Sequence, residues 1–294
     1  MTRAATGGSA IRVASAAQVD WLLELAADEG WNPGLEDAAA FRAADPEGLL
    51  VALDRGDPVA GVSVVRQDDA HGFLGLYLCR PDARGQGHGW RVWQAGLAHL
   101  GERSVGLDGV VEQQGNYRRS GFAPAWRNVR FAGVPAHGGG GEGGIEASSG
   151  VGVREALAAD LPALTAFDRE IGGVDRRRFL NVWLVTTRTR RTLMVERQGR
   201  LRGFGTVRAC RRHVKVGPLL ADSPEVAGTL LERLARSVDD TEIVLDAPEC
   251  NPAAIALARD AGLVPVFETA RMYRGEAPPV DAERLFGVAT LELG

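Results

Sequence analysis

A glycine-rich stretch, Gly133 to Gly150, divides the chain into two flanks of similar size, and each flank runs through the same order of helix and strand patterns. The stretch contains Gly138-Gly139-Gly140-Gly141 and Ser148-Ser149-Gly150. Too few side chains are present there to bury, so 134–150 reads as a flexible linker. In the first flank, apolar residues at Val19, Leu22, Leu23, Leu25 and Ala26 have the spacing of an amphipathic helix over Ala17 to Glu29, ended by Gly30. A short helix from Leu35 to Ala44 follows, then β-rich runs at Leu49 to Leu53 and Val59 to Val65, joined across Asp54-Arg55-Gly56-Asp57-Pro58. Phe73 to Cys79 is a further strand, 87 to 100 a long helix, Ser104 to Asp108 a strand, Gln113 to Ser120 a short helix and Trp126 to Phe131 a closing strand. On the long helix Trp90, Trp93, Leu97 and Leu100 are expected to share one core-facing stripe.

The second flank repeats this order. Helices are expected at Asp160 to Glu170 and Arg176 to Leu184, and strands at Thr192 to Arg197, Arg202 to Cys210 and Val214 to Leu219. Helix Glu225 to Val238, strand Glu242 to Ala247 and a helix opened by Asn251-Pro252 complete the unit. The expectation is a duplicated mixed α/β unit, with domains at 1–133 and 151–294.

Between the strand ending at Cys79 and the helix beginning near Trp90 lies Arg84-Gly85-Gln86-Gly87-His88-Gly89. Glycines let the backbone approach an anion closely, and the free N–H groups of a first helical turn point at it with the positive end of the helix dipole behind them. The arrangement suits a diphosphate. A dinucleotide fingerprint G-x-G-x-x-G is broken, because Trp90 stands where its third glycine belongs, although Asp108 lies at about the right distance for a ribose contact. A P-loop fails outright: no Gly-Lys-Ser/Thr follows, and Lys215 is the only lysine in the chain.

The remaining frame, R-x-x-G-x-G preceded by Pro81, resembles the GNAT superfamily of N-acyltransferases, as does Tyr117-Arg118-Arg119-Ser120-Gly121-Phe122, which is similar to that family's Y-x-x-x-G-F. The resemblance extends across nearly the whole chain, in the manner of bacterial tandem two-domain members. It implies an α/β (mixed α+β) fold class: two tandem GNAT-like folds, each a mixed, mostly antiparallel sheet flanked by helices. It also implies acetyl-CoA as co-substrate, with Tyr77, Leu78 and Cys79 beside the thioester and Arg84, Gly85, Gln86, Gly87, His88, Gly89 and Trp90 around the diphosphate. An amine attacks the thioester directly, without an acyl-enzyme. Tyr117 is the implied acid for the departing thiolate.

For the base, Asp108 and Glu112 are candidates, since the end of the strand 104 to 108 should face the gap where acceptor and thioester meet. A water chain could replace both, and Asp108-Gly109 could equally be a turn or cap. Cys79 lacks the His and Asp/Asn partners of a nucleophile. Trp31-Asn32-Pro33-Gly34 marks an apolar wall for the acceptor or a core tryptophan, and Asp246 either meets a cationic acceptor or is solvated.

The second flank departs from the family where chemistry would occur. Its loop reads Leu219-Leu220-Ala221-Asp222-Ser223-Pro224-Glu225, with two added carboxylates and a proline that offers no N–H, and Ala258 replaces the tyrosine. This half is expected to be a degenerate copy that supports structure or shapes the acceptor pocket.

Composition bounds the rest. The chain is 45% hydrophobic and 24% charged, with net charge −4, so no basic field invites nucleic acid. Arg176-Arg177-Arg178 and Arg188-Thr189-Arg190-Arg191 read as solvated surface. Three separated cysteines show neither zinc spacing nor a disulfide framework, so no metal is expected. No apolar run spans a bilayer and no signal-peptide core follows Met1, giving a cytoplasmic expectation with a small-molecule or peptide amine as partner and a homodimer left open. The competing functional expectation is a catalytically silent CoA-binding sensor or scaffold; a nicotinamide enzyme is the third.

Overall fold

The computed structural model describes residues 10–135, 151–238 and 242–294. The linker expected at 134–150 lies outside them except for Val134 and Pro135. The first half runs β1 (Ala10–Val13), α1 (Ala16–Asp28), α2 (Asp37–Ala44), β2 (Leu49–Asp54), β3 (Asp57–Arg66), β4 (His71–Cys79), α3 (His88–Leu100), β5 (Ser104–Val110), α4 (Gln114–Arg119) and β6 (Ala123–Gly133). The second runs β7 (Val151–Glu155), α5 (Leu161–Gly172), α6 (Arg177–Trp183), β8 (Arg190–Arg197), β9 (Arg200–Ala209), β10 (Val214–Ala221), α7 (Pro224–Arg236), β11 (Ile243–Pro248), α8 (Pro252–Asp260), β12 (Val264–Arg274) and β13 (Leu285–Gly287).

Local chemistry accounts for most boundaries. Ser15 opens α1 with a capping box, its side chain accepting from the Gln18 N–H while the Gln18 side chain accepts from the Ser15 N–H. The α1 stripe Val19, Leu22, Leu23, Leu25 and Ala26 is buried, as the helical spacing requires. Asn251 caps α8 by accepting from the Ala253 N–H. On α3 the buried residues are His88, Val92, Trp93, Gly96 and Leu100, whereas Trp90 is 57% exposed. The expected core stripe is corrected at that position. At about 100° per residue Trp90 lies about 60° round the helix from Trp93 but about 160° from Val92, at the margin of the buried stripe.

All thirteen strands of the described residues belong to one sheet, in the order β1-β2-β3-β4-β5-β12-β6-β11-β10-β9-β8-β7, with β13 on β10. The closing strands are therefore exchanged. β5 of the first half pairs with β12 of the second, and β11 of the second pairs with β6 of the first. Helices pack across the same join: Phe41 of α2 stacks on Trp183 of α6 with ring centroids 6.2 Å apart. Both side chains are fully buried, each worth about 2–3 kcal/mol of apolar transfer.

Arg190 and Arg208 lie over that indole, 4.5 and 4.4 Å from its centroid, and both pair with buried Asp37. Arg176 is likewise held by Asp168 in a bidentate pair. The arginine runs read as solvated surface are thus corrected at Arg176 and Arg190, whose side chains neutralise the buried carboxylates Asp168 and Asp37.

Candidate active site

β4 and β5 are parallel partners only from His71 to Leu74 against Ser104 to Leu107. Beyond that point they part. Leu76 has φ +46°, and the β3–β4 register shifts between Gly61 and Ser63, the signature of a bulge that turns β4 away. A cavity of about 510 Å³ opens in the gap. Leu76, Tyr77, Leu107 and Tyr117 line it from the first half, and Phe267 and Glu292 from the second.

The glycine loop lies beyond the end of β4. Gly85 and Gly87 have φ of +77° and +84°, conformations that L side chains rarely adopt, and open space lies where a Cβ on either would point. Gly87 opens α3 with no side-chain cap. The cap residue itself thus brings no side chain to the first-turn amides, a condition that suits an anion. Tyr77 leans its ring on Trp93 and its hydroxyl toward the helix, where a Cβ on Gly89 would come within 3.0 Å of it.

The Gly89 N–H points at the Cys79 sulfur, and burial pushes that thiol up from its ordinary value. Leu78 is buried, Gln86 donates to the Asp82 carbonyl at 3.0 Å, and Trp90 is exposed on the first turn. The His88 ring is 8% exposed, and its Nδ1 has no hydrogen-bond partner. Arg84 does not project over the loop. Its Nε donates to the Cys79 carbonyl at 3.1 Å and its Nη2 pairs with Glu29, which ties the loop to the end of α1.

Tyr117 on α4 packs flat on Trp93, with centroids 5.7 Å apart, and edge-on to Phe122. Its ring lies over Gly109, where any Cβ would collide with it. Burial, with Tyr77 nearby, pushes the phenol up to about 12. The two base candidates differ in placement. Glu112 is exposed at the rim of the cavity in the short 3-10 turn before α4.

Asp108 is inside β5, not at its end, and its side chain is fully buried. Its Oδ1 accepts from Arg271 Nε at 3.0 Å and from Asn128 Nδ2 at 2.7 Å, and its Oδ2 accepts from Arg271 Nη2 at 2.8 Å. Burial, with Asp246 nearby, pushes this carboxyl up against the pull of Arg271 and Asn128; three N–H donors on its oxygens are what an ionised carboxylate collects, and they seat it against the guanidinium. The turn-or-cap alternative for Asp108 is corrected accordingly.

Asp246, read as solvated or acceptor-facing, is instead buried against Arg130 of β6, with bonds of 2.7 and 2.9 Å. Burial opposes its ionisation, but the guanidinium outweighs it and holds the carboxyl below the usual range. Lys215, also buried, donates to the Trp31 carbonyl at 3.0 Å, and desolvation pushes its ammonium down. Asn32 exchanges hydrogen bonds with the Arg212 backbone at 2.6 and 3.1 Å, so the 31–34 turn is clamped on the second half while Trp31 borders the cavity. Sequence reasoning missed Arg130, Lys215, Arg271 and Glu292. The available signal for Lys215 was a lone charge inside an otherwise apolar strand run.

The matching gap in the second half is filled. β10 and β11 are parallel partners only from Val214 to Val216 against Ile243 to Leu245. β13 then lies on β10, the Val288 N–H donates to the Asp246 carbonyl at 3.0 Å, and a Cβ on Gly217 would run into the Val288 carbonyl. Ser223 caps α7, accepting from the Val226 N–H, where α3 is open. Among the described residues no group of His, Cys, Asp and Glu is placed to hold a metal ion, and no helix is long and apolar enough to cross a membrane.

Comparison with known proteins agrees with this architecture. Two family models match, the Acetyltransferase (GNAT) family over residues 16–122 and the Acetyltransferase (GNAT) domain over 164–287. The chain is 31% identical over 272 residues to holothin acyltransferase from Pseudoalteromonas sp. (strain SANK 73390), covering 92% of this chain and 90% of that protein. A solved structure of a Pyrococcus horikoshii protein of acetyltransferase type superposes with TM-score 0.79 at 23% identity, over 100% of this chain and 99% of that one. A tandem GNAT protein from the clavulanic acid biosynthesis pathway does so with TM-score 0.59 at 15% identity, over 92% and 99%. With one open and one filled gap on a shared sheet, the chain belongs to the GNAT acetyltransferase family as a tandem member.

Proposed function

We propose that the protein is an N-acetyltransferase that moves acetyl from acetyl-CoA to a primary amine of a small molecule or peptide, by direct attack in a ternary complex. The observation that carries this is the parting of β4 from β5 beyond Leu74 and Leu107, which joins the glycine loop to a cavity bordered by Tyr117. The residues present fit the carrier. Open space above Gly85 and Gly87 and a first turn of α3 that Gly87 leaves without a cap side chain suit its diphosphate, held by backbone N–H groups between Gly85 and Trp90 other than that of Gly89, which meets the Cys79 sulfur. The backbone of Tyr77, Leu78 and Cys79 runs beside the gap, where an N–H donor stabilises the oxyanion that develops on the thioester oxygen.

Tyr117 gives the departing sulfur a proton, which a phenol pushed up to about 12 retains at neutral pH. Arg84 fixes the loop through Glu29 rather than gripping phosphate by itself. The second half acts as a wall: its filled gap and capped α7 leave one carrier site, and its clamp on Trp31 shapes the acceptor side. Resemblance to a holothin acyltransferase supports a small-molecule acceptor. The test is calorimetric titration with acetyl-CoA, followed by thiol release measured across a panel of alkylamines, arylamines and lysine peptides. Saturable binding with amine-dependent release is expected; binding without release on any amine would leave a carrier-binding sensor instead.

A further inference from the structure

Four carboxylates border the cavity: Glu29, Asp108, Glu112 and Glu292. Glu29 is paired with Arg84, Asp108 with Arg271, and Glu112 stands exposed at the rim. Glu292 is different. It is 7% exposed, its Oε2 meets the Thr290 hydroxyl, and among the described residues no cation bonds to it. The cations nearest in the field, Arg130 and Lys215, direct their own bonds to Asp246 and to the Trp31 carbonyl.

The segment carrying Glu292 is seated firmly. Gly75 lies where β4 leaves β5, and the Glu292 carbonyl occupies the space a Cβ there would need. Gln67 donates to the Leu293 carbonyl at 2.9 Å, Arg176 donates to the Gly294 carbonyl, and the Gly294 N–H returns to the Thr290 carbonyl at 3.0 Å. Contacts from both halves thus fix a buried carboxylate beside the strand that borders the thioester position.

We infer that Glu292, supplied by the second half, is the base that takes the first proton from the acceptor's ammonium; this rests on the acyltransfer reading above. That proton passes from nitrogen to the Glu292 carboxylate and on to solvent, leaving a neutral amine. The amine's lone pair forms the C–N bond, the C–S bond breaks with its electrons on sulfur, and Tyr117 protonates the thiolate. The second proton shed by nitrogen restores the phenol. Atoms and charge balance with acetyl-CoA and the ammonium as the only reactants.

The experiment uses the full chain, acetyl-CoA, and benzylamine and aniline among the amine panel, comparing wild type with Glu292→Gln and Glu292→Asp. At pH 7 benzylamine is an ammonium and aniline is neutral. Expected for Glu292→Gln is a fall in kcat of about 100-fold or more on alkylamines, with the KM for acetyl-CoA within about twofold, and a fall of less than about fivefold on arylamines. Where wild type accepts alkylamines only, the deficit is expected to shrink at least tenfold between pH 7 and pH 10, as the amine deprotonates by itself. Glu292→Asp should recover part of the alkylamine rate, and melting curves of both variants report folding. An equal loss on neutral and charged amines, an undiminished deficit at pH 10, or no loss at all would overturn the assignment while acyltransfer stands. Wild-type protein that releases no thiol with any amine would overturn both.

Discussion

Asp108 and Arg271 are register partners across the join between the halves, one on β5 and one on β12, and their side chains form a buried bidentate pair. Arg130 and Asp246 repeat the arrangement on β6 and β11. The duplicated unit thus carries the same carboxylate twice, each answered by an arginine from the other half's closing strand.

Removing one member of such a pair strands a charge in the interior, at a cost of about 3–5 kcal/mol. Asp108→Ala and Arg271→Met are each expected to lower the unfolding free energy from urea titration by about that much, with a matching fall in midpoint, whereas the double change Asp108→Leu with Arg271→Met should recover most of the loss. Equal midpoints for single variants and wild type would mean that the pair carries no structural weight.

Tyr117→Phe keeps the ring on Trp93 and removes only the hydroxyl. The expectation is a fall in kcat of about 100-fold with acetyl-CoA binding unchanged. Because burial raises the phenol to about 12, its protonated form persists through the neutral and mildly alkaline range. The wild-type rate should therefore show no alkaline fall from this group below about pH 11. An alkaline limb near pH 9 that vanishes in Tyr117→Phe would contradict the placement.

Binding stoichiometry separates the two halves. Val288 and Ala289 fill the gap between β10 and β11, and Ser223 caps α7, so calorimetry should give one acetyl-CoA per chain. Gly87→Val, which forces a side chain onto a left-handed backbone, should abolish that single site. Two equivalent sites would show that the second half is not closed.

Acid stability has a definite sign at Asp45. Burial of this side chain raises its carboxyl, but His99 at 2.8 Å and Arg66 at 2.9 Å more than offset that and hold it well below the ordinary range. A depressed folded value means that the contribution is complete above the unfolded value, near 3.9, and is lost as pH falls toward the folded one. The urea midpoint of wild type should fall between about pH 4 and pH 2, and that of Asp45→Asn, already lower at pH 7, should fall less over the same window.

Most of the fold was legible because it is local. Helical spacing places α1 and the Asn251 cap places α8, and Arg55 and Gly56 turn the first hairpin at φ +52° and +97°. The strand exchange was not legible, because Trp126 to Phe131 and Ala270 to Tyr273 present alternations that close either half equally well. The lone charge of Lys215 between Val214 and Val216 is a local signal, but a pattern along one strand cannot name its partner, the Trp31 carbonyl 184 residues away. Glu292 had no local signal at all: its role depends on where the Gly75 backbone lies in space.

The exchange also sets an order of events during synthesis. The Asp108 side chain has no guanidinium to meet until Arg271 has been made, 163 residues later. Until then the amino-terminal lobe lacks the strand that β5 pairs with, and only Asn128 answers its buried acid.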